Sequence, residues 1–129
     1  MLEAGIKNEK KVVVSGANSA KTMGSGTLDV FATPAMVALM EGCAYESVAE
    51  YLEEGSGTVG ISMNVKHVAA TPIGMYVRCE SELTKVDGRI LTFIVKAYDE
   101  KELIGEGEHQ RCIIYNGRFQ DKANAKLIK

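Results

Sequence analysis

The sequence has few cysteines and no long apolar segments. These two features argue against a disulfide-stabilised protein and against a membrane-spanning one. Its three cysteines (Cys43, Cys79 and Cys112) are widely spaced and include no C-x-x-C pair. This odd, scattered set argues against a disulfide framework and favours a reduced, cytoplasmic setting. No uncharged apolar run reaches the roughly 18 residues of a membrane-spanning helix. The polar N-terminus also lacks the apolar core of a signal peptide, so we expect no membrane partner.

An excess of charge of one sign is also missing. The sequence has 15 basic and 17 acidic residues, a formal net charge of −2, and its charges are interspersed. Without a basic stripe it lacks the electrostatic footprint of nucleic-acid binding. Metal ligands are scarce, with two histidines and no cysteine pair at ligand spacing. A length of 129 residues predicts a single domain over residues 1–129 with one core.

A glycine-rich run from Gly55 to Gly60 has the G-x-G-x-x-G spacing of a dinucleotide-binding turn. That motif needs a strand before it and a helix after it. Here a predicted helix precedes the run and a predicted strand follows it. The match is therefore a coincidence, and no nucleotide cofactor is expected from it.

The first part of the sequence predicts one strand, one loop and one long helix. Lys11–Ser15 is a β-branched run typical of a strand, and Gly16–Leu28 is a small, polar segment typical of a mobile loop. Thr33 followed by Pro34 is typical of a helix start, with threonine as the N-cap. The helix is predicted to continue to about Glu53. Its first three turns are almost wholly apolar, which indicates burial on all sides.

The rest of the sequence alternates in four segments and then becomes polar. The predicted strands are Thr58–Val68, Met75–Val86, Arg89–Tyr98 and Leu103–Tyr115, with Asp87-Gly88 as a hairpin turn and a polar, frayed tail over residues 116–129. This order predicts an α+β hotdog fold, in which one long central helix is wrapped by a curved antiparallel β-sheet. Such a subunit leaves a sheet edge open, so we expect a homodimer, or a tetramer of paired dimers.

Three polar residues in apolar surroundings are candidates for chemistry. Glu41 is the one charged residue in the apolar turns of the helix, where a buried carboxylate costs several kcal/mol unless paired or protonated. It is either a structural acid, bonded to the backbone or to Tyr45, or a catalytic carboxylate. His67 lies in the apolar phase of its strand, as a core residue or as a general base that meets Glu41. Thr33 is either only an N-cap or a hydroxyl at the positive end of the helix.

The last predicted strand contributes two further candidates. His109 and Arg111 share a strand phase with Gly105 and Gly107, whose missing side chains permit close approach of the helix or of a ligand. Arg111 could orient Glu41, contact a substrate or make a structural ion pair, and the sequence leaves these three roles open.

Three separated motifs resemble the fluoroacetyl-CoA thioesterase family. They are Phe31-Ala32-Thr33 with Leu39-Met40-Glu41, then Gly55–Gly60 with the H-x-A-A-T-P turn His67–Pro72, and the glycine-rich H-x-R strand Gly105–Arg111. The motifs occur in the family's order and near its spacing, and the similarity runs from about Val30 to Asp121.

The resemblance implies a homodimeric hotdog enzyme that hydrolyses acyl-CoA thioesters. In the family a threonine, a glutamate and a histidine form the catalytic group, and these fall on Thr33, Glu41 and His67. A glycine and an arginine that line the substrate site fall on Gly60 and Arg111. Because a CoA thiolate is an adequate leaving group, no metal or organic cofactor is expected.

The acyl group and the reaction are the two open points. We expect a short-chain acyl-CoA substrate. Residues 20–27 do not match the family's aromatic, proline-containing lid, so the acyl group is not assigned as fluoroacetyl. An enoyl-CoA hydratase on this fold typically uses a D-x-N-x-x-H-like string, which is absent. A non-catalytic acyl-CoA binding or regulatory protein would need no carboxylate at Glu41. The sequence therefore favours a thioesterase.

Overall fold

The computed structural model describes residues 1–128 as one antiparallel sheet with a long helix against it. The elements are β1 (Lys7–Val13), α1 (Ala20–Met23), α2 (Thr33–Val48), β2 (Ser56–His67), β3 (Tyr76–Asp87), β4 (Ile90–Tyr98), β5 (Leu103–Tyr115) and α3 (Asn116–Asn124). The strand order is β1-β3-β4-β5-β2, and every pair is antiparallel. The predicted α+β hotdog arrangement is confirmed.

The core lies between α2 and the inner face of the sheet. Alternate residues of β3 and β4 face the helix, because successive side chains of a strand point to opposite faces. The fully buried side chains of this layer are Met36, Met40, Cys43, Ala44 and Val48 from α2 and Val77, Cys79, Leu83, Leu91, Phe93, Val95 and Ala97 from the sheet. All three cysteines are free, as their scattered pattern predicted. No helix of residues 1–128 is long and apolar enough to cross a membrane.

The prediction that the first turns of α2 are buried on all sides is wrong for a single chain. Pro34, Ala38 and Tyr45 are exposed, and Val37 and Glu41 are only partly buried. Their spacing of three or four residues forms one stripe along the helix, which the sheet of a single chain does not fully cover. The side chain of Glu41 remains 44% exposed. The cost expected for burying its charge therefore does not arise within one chain.

The ends of α2 also differ from the prediction. Ala32 is the N-cap residue, no side chain caps the helix start, and Thr33 is the first helical residue. The regular helix ends at Val48 rather than near Glu53, and a short 3-10 turn continues to Tyr51. The hydroxyl of Thr33 is therefore free to bond elsewhere.

Both terminal segments contain regular structure that the sequence did not predict. The strand β1 lies earlier than Lys11–Ser15, and the predicted loop contains α1, where Ser19 caps the start and Gly24 ends the helix at φ 72°. Residues 116–124 form α3 instead of a frayed tail. None of the residues of α3 is buried, and its only apolar side chains are those of Phe119 and Ala123. The segment therefore lacks the repeated apolar positions that identify a packed helix in a sequence.

A β-bulge changes which residues of β2 face the helix. The register with β5 shifts between Gly60 and Ser62, and Ile61 has no partner. Because an extra residue reverses the alternation of side chains, Thr58 and Gly60 lie on the same face as His67. An uninterrupted alternation predicts Thr58 on the outer face, and that prediction is wrong.

Gly107 lies where β5 and β2 approach each other closely. A Cβ at this position would lie 2.6 Å from the Val65 Cα and would also press on the Asn64 carbonyl oxygen. These backbone atoms cannot rotate out of the way. We predict that Gly107→Ala lowers the free energy of unfolding by about 1–3 kcal/mol, the usual cost of overpacking, as measured by urea denaturation.

Gly117→Ala is the matched control, because nothing lies within 4 Å of a Cβ built at that position of α3. Replacing a helical glycine by alanine should raise the free energy of unfolding by up to about 1 kcal/mol. Equal urea midpoints for Gly107→Ala and the wild type would contradict the tight contact between β5 and β2.

Candidate active site

The start of α2 and the end of β2 meet in a hydroxyl–imidazole pair. Thr33 Oγ1 lies 2.8 Å from His67 Nδ1. The other ring nitrogen, His67 Nε2, is buried and has no hydrogen-bond partner among residues 1–128. Burial lowers the pKa of His67 below its usual 6.5. The ring is therefore neutral at pH 7, and one of its nitrogens carries a free lone pair.

A small cavity opens beside this pair. Its volume is about 280 Å³, just below the roughly 300–1,000 Å³ typical of ligand pockets. Most of its lining is small or apolar: Ala20, Ser25, Val30, Phe31, Thr33, His67, Val68, Ala69 and Ala70. One wall comes from α1 and the loop that follows it. The cavity has room for a short chain and little more.

Glu41 lies two turns further along α2, beside Gly60 of the edge strand β2 and Arg111 of its neighbour β5. Its Oε2 is 3.6 Å from Arg111 Nη1. A Cβ on Gly60 would lie 2.6 Å from the same carboxylate oxygen, so the carboxylate can take this position only because residue 60 has no side chain. The Arg111 Cζ also lies 5.8 Å from the centre of the Tyr45 ring, within the range of a cation–π contact.

Arg111 is held in place by hydrogen bonds of its own. The residue is only 6% exposed. Its Nε donates to Thr58 Oγ1 at 2.7 Å and its Nη2 to the Thr58 carbonyl oxygen at 2.9 Å. Its Nη1 lies 3.1 Å from His109 Nε2, and His109 Nδ1 lies 2.8 Å from the Ser62 carbonyl oxygen. A carbonyl can only accept, so the proton of His109 is on Nδ1 and Nε2 accepts from the guanidinium.

The charge states in this network follow from burial. Burial lowers the pKa of His109, and the positive charge of Arg111 lowers it further, while the Ser62 carbonyl raises it. The neutral ring is what allows His109 to accept a hydrogen bond from a cation. Burial also lowers the pKa of Arg111, which the nearby carboxylate of Glu41 opposes. The guanidinium stays charged, because its pKa in proteins lies far above neutral pH.

The five residues predicted from the sequence thus fall into two groups. Thr33 pairs with His67, whereas Glu41 lies with Gly60 and Arg111. No hydrogen bond or salt bridge within residues 1–128 joins Glu41 to His67. Thr33 and Glu41 are eight residues apart on one helix, about 12 Å at 1.5 Å per residue. The general-base hypothesis expected Glu41 to meet His67. Within a single chain the two residues do not meet.

Thr58 and His109 complete the arginine site, and neither was predicted to hold Arg111. The bulge concealed Thr58, since it reverses the alternation in β2. The H-x-R spacing was the available signal for His109. Residues i and i+2 of a strand face the same side, so His109 was bound to lie beside Arg111. A histidine next to a buried guanidinium has to be neutral, and it can then accept a hydrogen bond.

Comparisons with known proteins agree with this architecture. Residues 14–117 match the family of fluoroacetyl-CoA-specific thioesterases. A fluoroacetyl-CoA thioesterase from Streptantibioticus cattleyicolor is 43% identical over 98 residues, which are 76% of this chain and 70% of that protein. The structure of the fluoroacetyl-CoA thioesterase FlK is 34% identical, with a TM-score of 0.93 over 98% of each chain.

A thioesterase superfamily member from Thermus thermophilus is similar at greater distance. It is 26% identical, with a TM-score of 0.88, and the similarity covers 96% of this chain and 92% of that one. The family match spans most of the sequence and contains both groups of candidate residues. The protein therefore belongs to the fluoroacetyl-CoA-specific thioesterase family.

Proposed function

We propose that this protein hydrolyses short-chain acyl-CoA thioesters to the free acid and CoA, with Thr33, Glu41 and His67 as catalytic residues. The observation that carries the proposal is the hydroxyl–imidazole pair at an uncapped helix start, beside a cavity of about 280 Å³. The names of the relatives, fluoroacetyl-CoA thioesterases, support the thioester substrate. The small cavity supports a short acyl group, and residues 20–27 contain no aromatic side chain that would select fluoroacetyl.

We further propose that the active form is a homodimer. The strand β2 has 12 residues and forms one edge of the sheet, so one row of its backbone N–H and C=O groups is unpaired. Ile61 and Val68, on or next to this edge, are 51% and 56% exposed. The exposed stripe of α2, which includes Pro34, Ala38 and Tyr45, adds further apolar surface. Antiparallel pairing of two β2 strands about a two-fold axis would cover both features.

This pairing would bring the two groups of the site together. Antiparallel strands bring the His67 end of one β2 toward the Gly60 end of the other. Thr33 and His67 of one protomer would then face Glu41 of the partner subunit. The arrangement accounts for the buried, unpartnered Nε2 of His67 and for the half-exposed carboxylate of Glu41.

The chemistry of such a site needs one base and one oxyanion donor. With Nδ1–H donating to Thr33 Oγ1, His67 Nε2 can accept a proton from a water molecule as its oxygen attacks the thioester carbon. The free N–H groups of the uncapped helix start can stabilise the oxyanion. When the tetrahedral intermediate collapses, the C–S bond breaks and the CoA sulfur leaves as a thiolate that takes up the proton.

Two routes use the carboxylate of Glu41 differently. As a second base it would orient or deprotonate the water, whereas as a nucleophile it would attack the carbonyl carbon and form an anhydride that water then opens. A single turnover in H₂¹⁸O tests for the anhydride. Label in the Glu41 carboxylate requires direct attack followed by water opening the anhydride at the glutamyl carbon, whereas attack of water at the acyl carbon, by either route, puts the label in the released acid.

Two further parts of the proposal concern the cellular compartment and the bounds of the domain. We propose a cytoplasmic protein, since its three cysteines are free thiols and free thiols are stable in a reducing compartment. We also propose that residues 1–129 form one domain. The support is that β1 and β2, from distant parts of the sequence, are the two edges of one sheet.

Glu41→Gln keeps the shape of the side chain but removes its charge and its basic oxygen. We predict that turnover falls by about 10²–10⁴-fold, the usual contribution of a general base. His67→Ala should lose a similar factor, and the double variant should be little worse than either, because residues acting as a unit are not additive. Thiol release from acyl-CoA substrates of increasing chain length measures all three variants.

Glu50→Gln is the matched control, since Glu50 is exposed in the turn after α2 and should keep full activity. The stability of Glu41→Gln should change by less than about 1 kcal/mol, as for other partly exposed ion pairs. Near-wild-type turnover of Glu41→Gln would overturn the mechanism and favour a non-catalytic acyl-CoA binder.

A mixed dimer tests whether the site lies between two chains. If Glu41 of one protomer acts with His67 of its partner, a heterodimer of Glu41→Gln with His67→Ala contains one intact site. Equal co-expression should then restore about a quarter of wild-type activity for a symmetric dimer that assembles at random. Sedimentation should show a dimer or larger. A stable monomer at micromolar concentration, or a mixture as inactive as its parents, would contradict the proposal.

The pH dependence follows from the charge state of His67. The ring must be neutral to accept a proton, so kcat/KM should rise with pH through the pKa of His67 and then level off. Within one chain burial lowers this pKa, whereas the carboxylate of Glu41 of the partner subunit would raise it, so a midpoint below 6.5 shows that burial has the larger effect. Proton NMR can follow the two imidazole signals directly, with His109→Asn to assign them. A midpoint that differs from the titration of the His67 signal, or the same profile in His67→Ala, would rule His67 out as the base.

A further inference from the structure

A second concave surface, separate from the cavity beside His67, lies where β5 ends and α3 begins. Its volume is about 170 Å³. It is lined by three cations, two aromatic rings and one aliphatic side chain: Arg89, Arg118, Lys122, Tyr115, Phe119 and Ile114. We refer to these six residues as the basic-aromatic pocket.

The aromatic rings of this pocket do not serve the core. Tyr115 is 51% exposed and Phe119 is 40% exposed, and no residue of α3 is buried. The Arg118 Cζ lies 5.8 Å from the centre of the Tyr115 ring. Exposed apolar surface next to polar groups often marks a binding site, and here it is combined with cations.

No carboxylate of residues 1–128 forms a salt bridge with the cations of the pocket. Within residues 1–128, the salt bridges join Lys10, Arg78 and Arg111 to carboxylates, and none involves Arg89, Arg118 or Lys122. Asp121, the one acidic residue of α3, does not line the pocket. Three positive charges around a concave, partly apolar surface attract an anion and concentrate its approach.

We propose that the basic-aromatic pocket binds the nucleotide end of the CoA substrate, the 3′-phosphorylated ADP. This inference rests on the proposed function, because it takes acyl-CoA as the substrate. A nucleobase stacks on exposed aromatic rings such as Tyr115 and Phe119. Arginine binds phosphate oxygens through paired N–H donors, and lysine binds them as a point charge, which suits Arg118 and Lys122.

The pocket lies at the end of β5, the strand that carries Arg111. Ile114 follows Arg111 by three residues, about 10 Å at 3.4 Å per residue, so its side chain points to the opposite face of the sheet, whereas Tyr115 is in the phase of Arg111. The pocket therefore surrounds the strand end, where Ile114 pairs with Gly57 of β2. In CoA the pantetheine arm separates the nucleotide from the thioester, so the two ends need sites that are apart but on connected elements. Arg118, Phe119 and Lys122 lie beyond residues 14–117, the family match, so half of the residues that line the pocket come from the part of α3 that follows the match.

A comparison of two substrates tests the pocket. The double variant Arg118→Ala with Lys122→Ala is assayed with acetyl-CoA and with S-acetylpantetheine, which carries the same thioester without the nucleotide. We expect kcat/KM for acetyl-CoA to fall by roughly tenfold or more, mainly through KM, because two charge-assisted phosphate contacts are lost. For S-acetylpantetheine kcat/KM should not change. Equal losses on both substrates, or no loss on either, would overturn the inference.

Lys11→Ala is the control, since it removes an exposed cation from β1 at the far edge of the sheet and should leave both substrates unaffected. Calorimetry with adenosine 3′,5′-bisphosphate tests the pocket without hydrolysis, with AMP and inorganic phosphate as comparisons. The bisphosphate should bind most tightly to the wild type and weakly to the double variant.

The two proposals fail in different ways. Bisphosphate binding without hydrolysis of any short-chain acyl-CoA would refute the proposed function and leave a nucleotide site. Hydrolysis of both thioesters without bisphosphate binding would refute the pocket alone. A change in sedimentation of the double variant, with unchanged kinetics, would assign α3 to contacts between copies of the chain and would also overturn the inference.

Discussion

The close approach of α2 to the inner face of the sheet determines the position of both groups of candidate residues. A Cβ on Gly105 would overlap the side chain of Met36 in α2, and one on Gly60 would overlap the carboxylate of Glu41. Because both positions are glycine, the helix can lie directly on β5 and β2. That distance lets Thr33 reach His67 at one end and Glu41 reach Arg111 two turns later.

The buried guanidinium is the most demanding charge in this layer. A buried cation is costly unless its donors are satisfied, and Arg111 meets this need with Thr58, His109 and the carboxylate of Glu41. The neutral state of His109 is part of the solution, since a charged ring would repel the guanidinium. The result is a fixed positive charge that orients Glu41 but leaves its carboxylate accessible from the outer side of α2.

The sequence predicted the sheet well and the surfaces of α2 and α3 poorly. The segment Leu103–Tyr115 was found with its observed bounds, because alternation and flanking turns mark a strand that is buried on one face. The bulge at Ile61 escaped detection, since one unpaired residue leaves no compositional mark. The exposed stripe of α2 was taken for core, because apolar residues look the same whether they face a sheet or open surface. The polar helix α3 buries no residue, so its sequence contains no apolar stripe from which a helix could be predicted.

The wall formed by α1 has a consequence for the divergence of this enzyme family. This helix of four residues has its own caps at Ser19 and Gly24, and only Ala20 of it is buried. Its sequence can therefore change with little effect on the layer between α2 and the sheet. Selection for a new acyl group can act on this wall while the helix–sheet contact stays constant. The cavity wall and the helix–sheet layer are thus built from separate parts of one small chain.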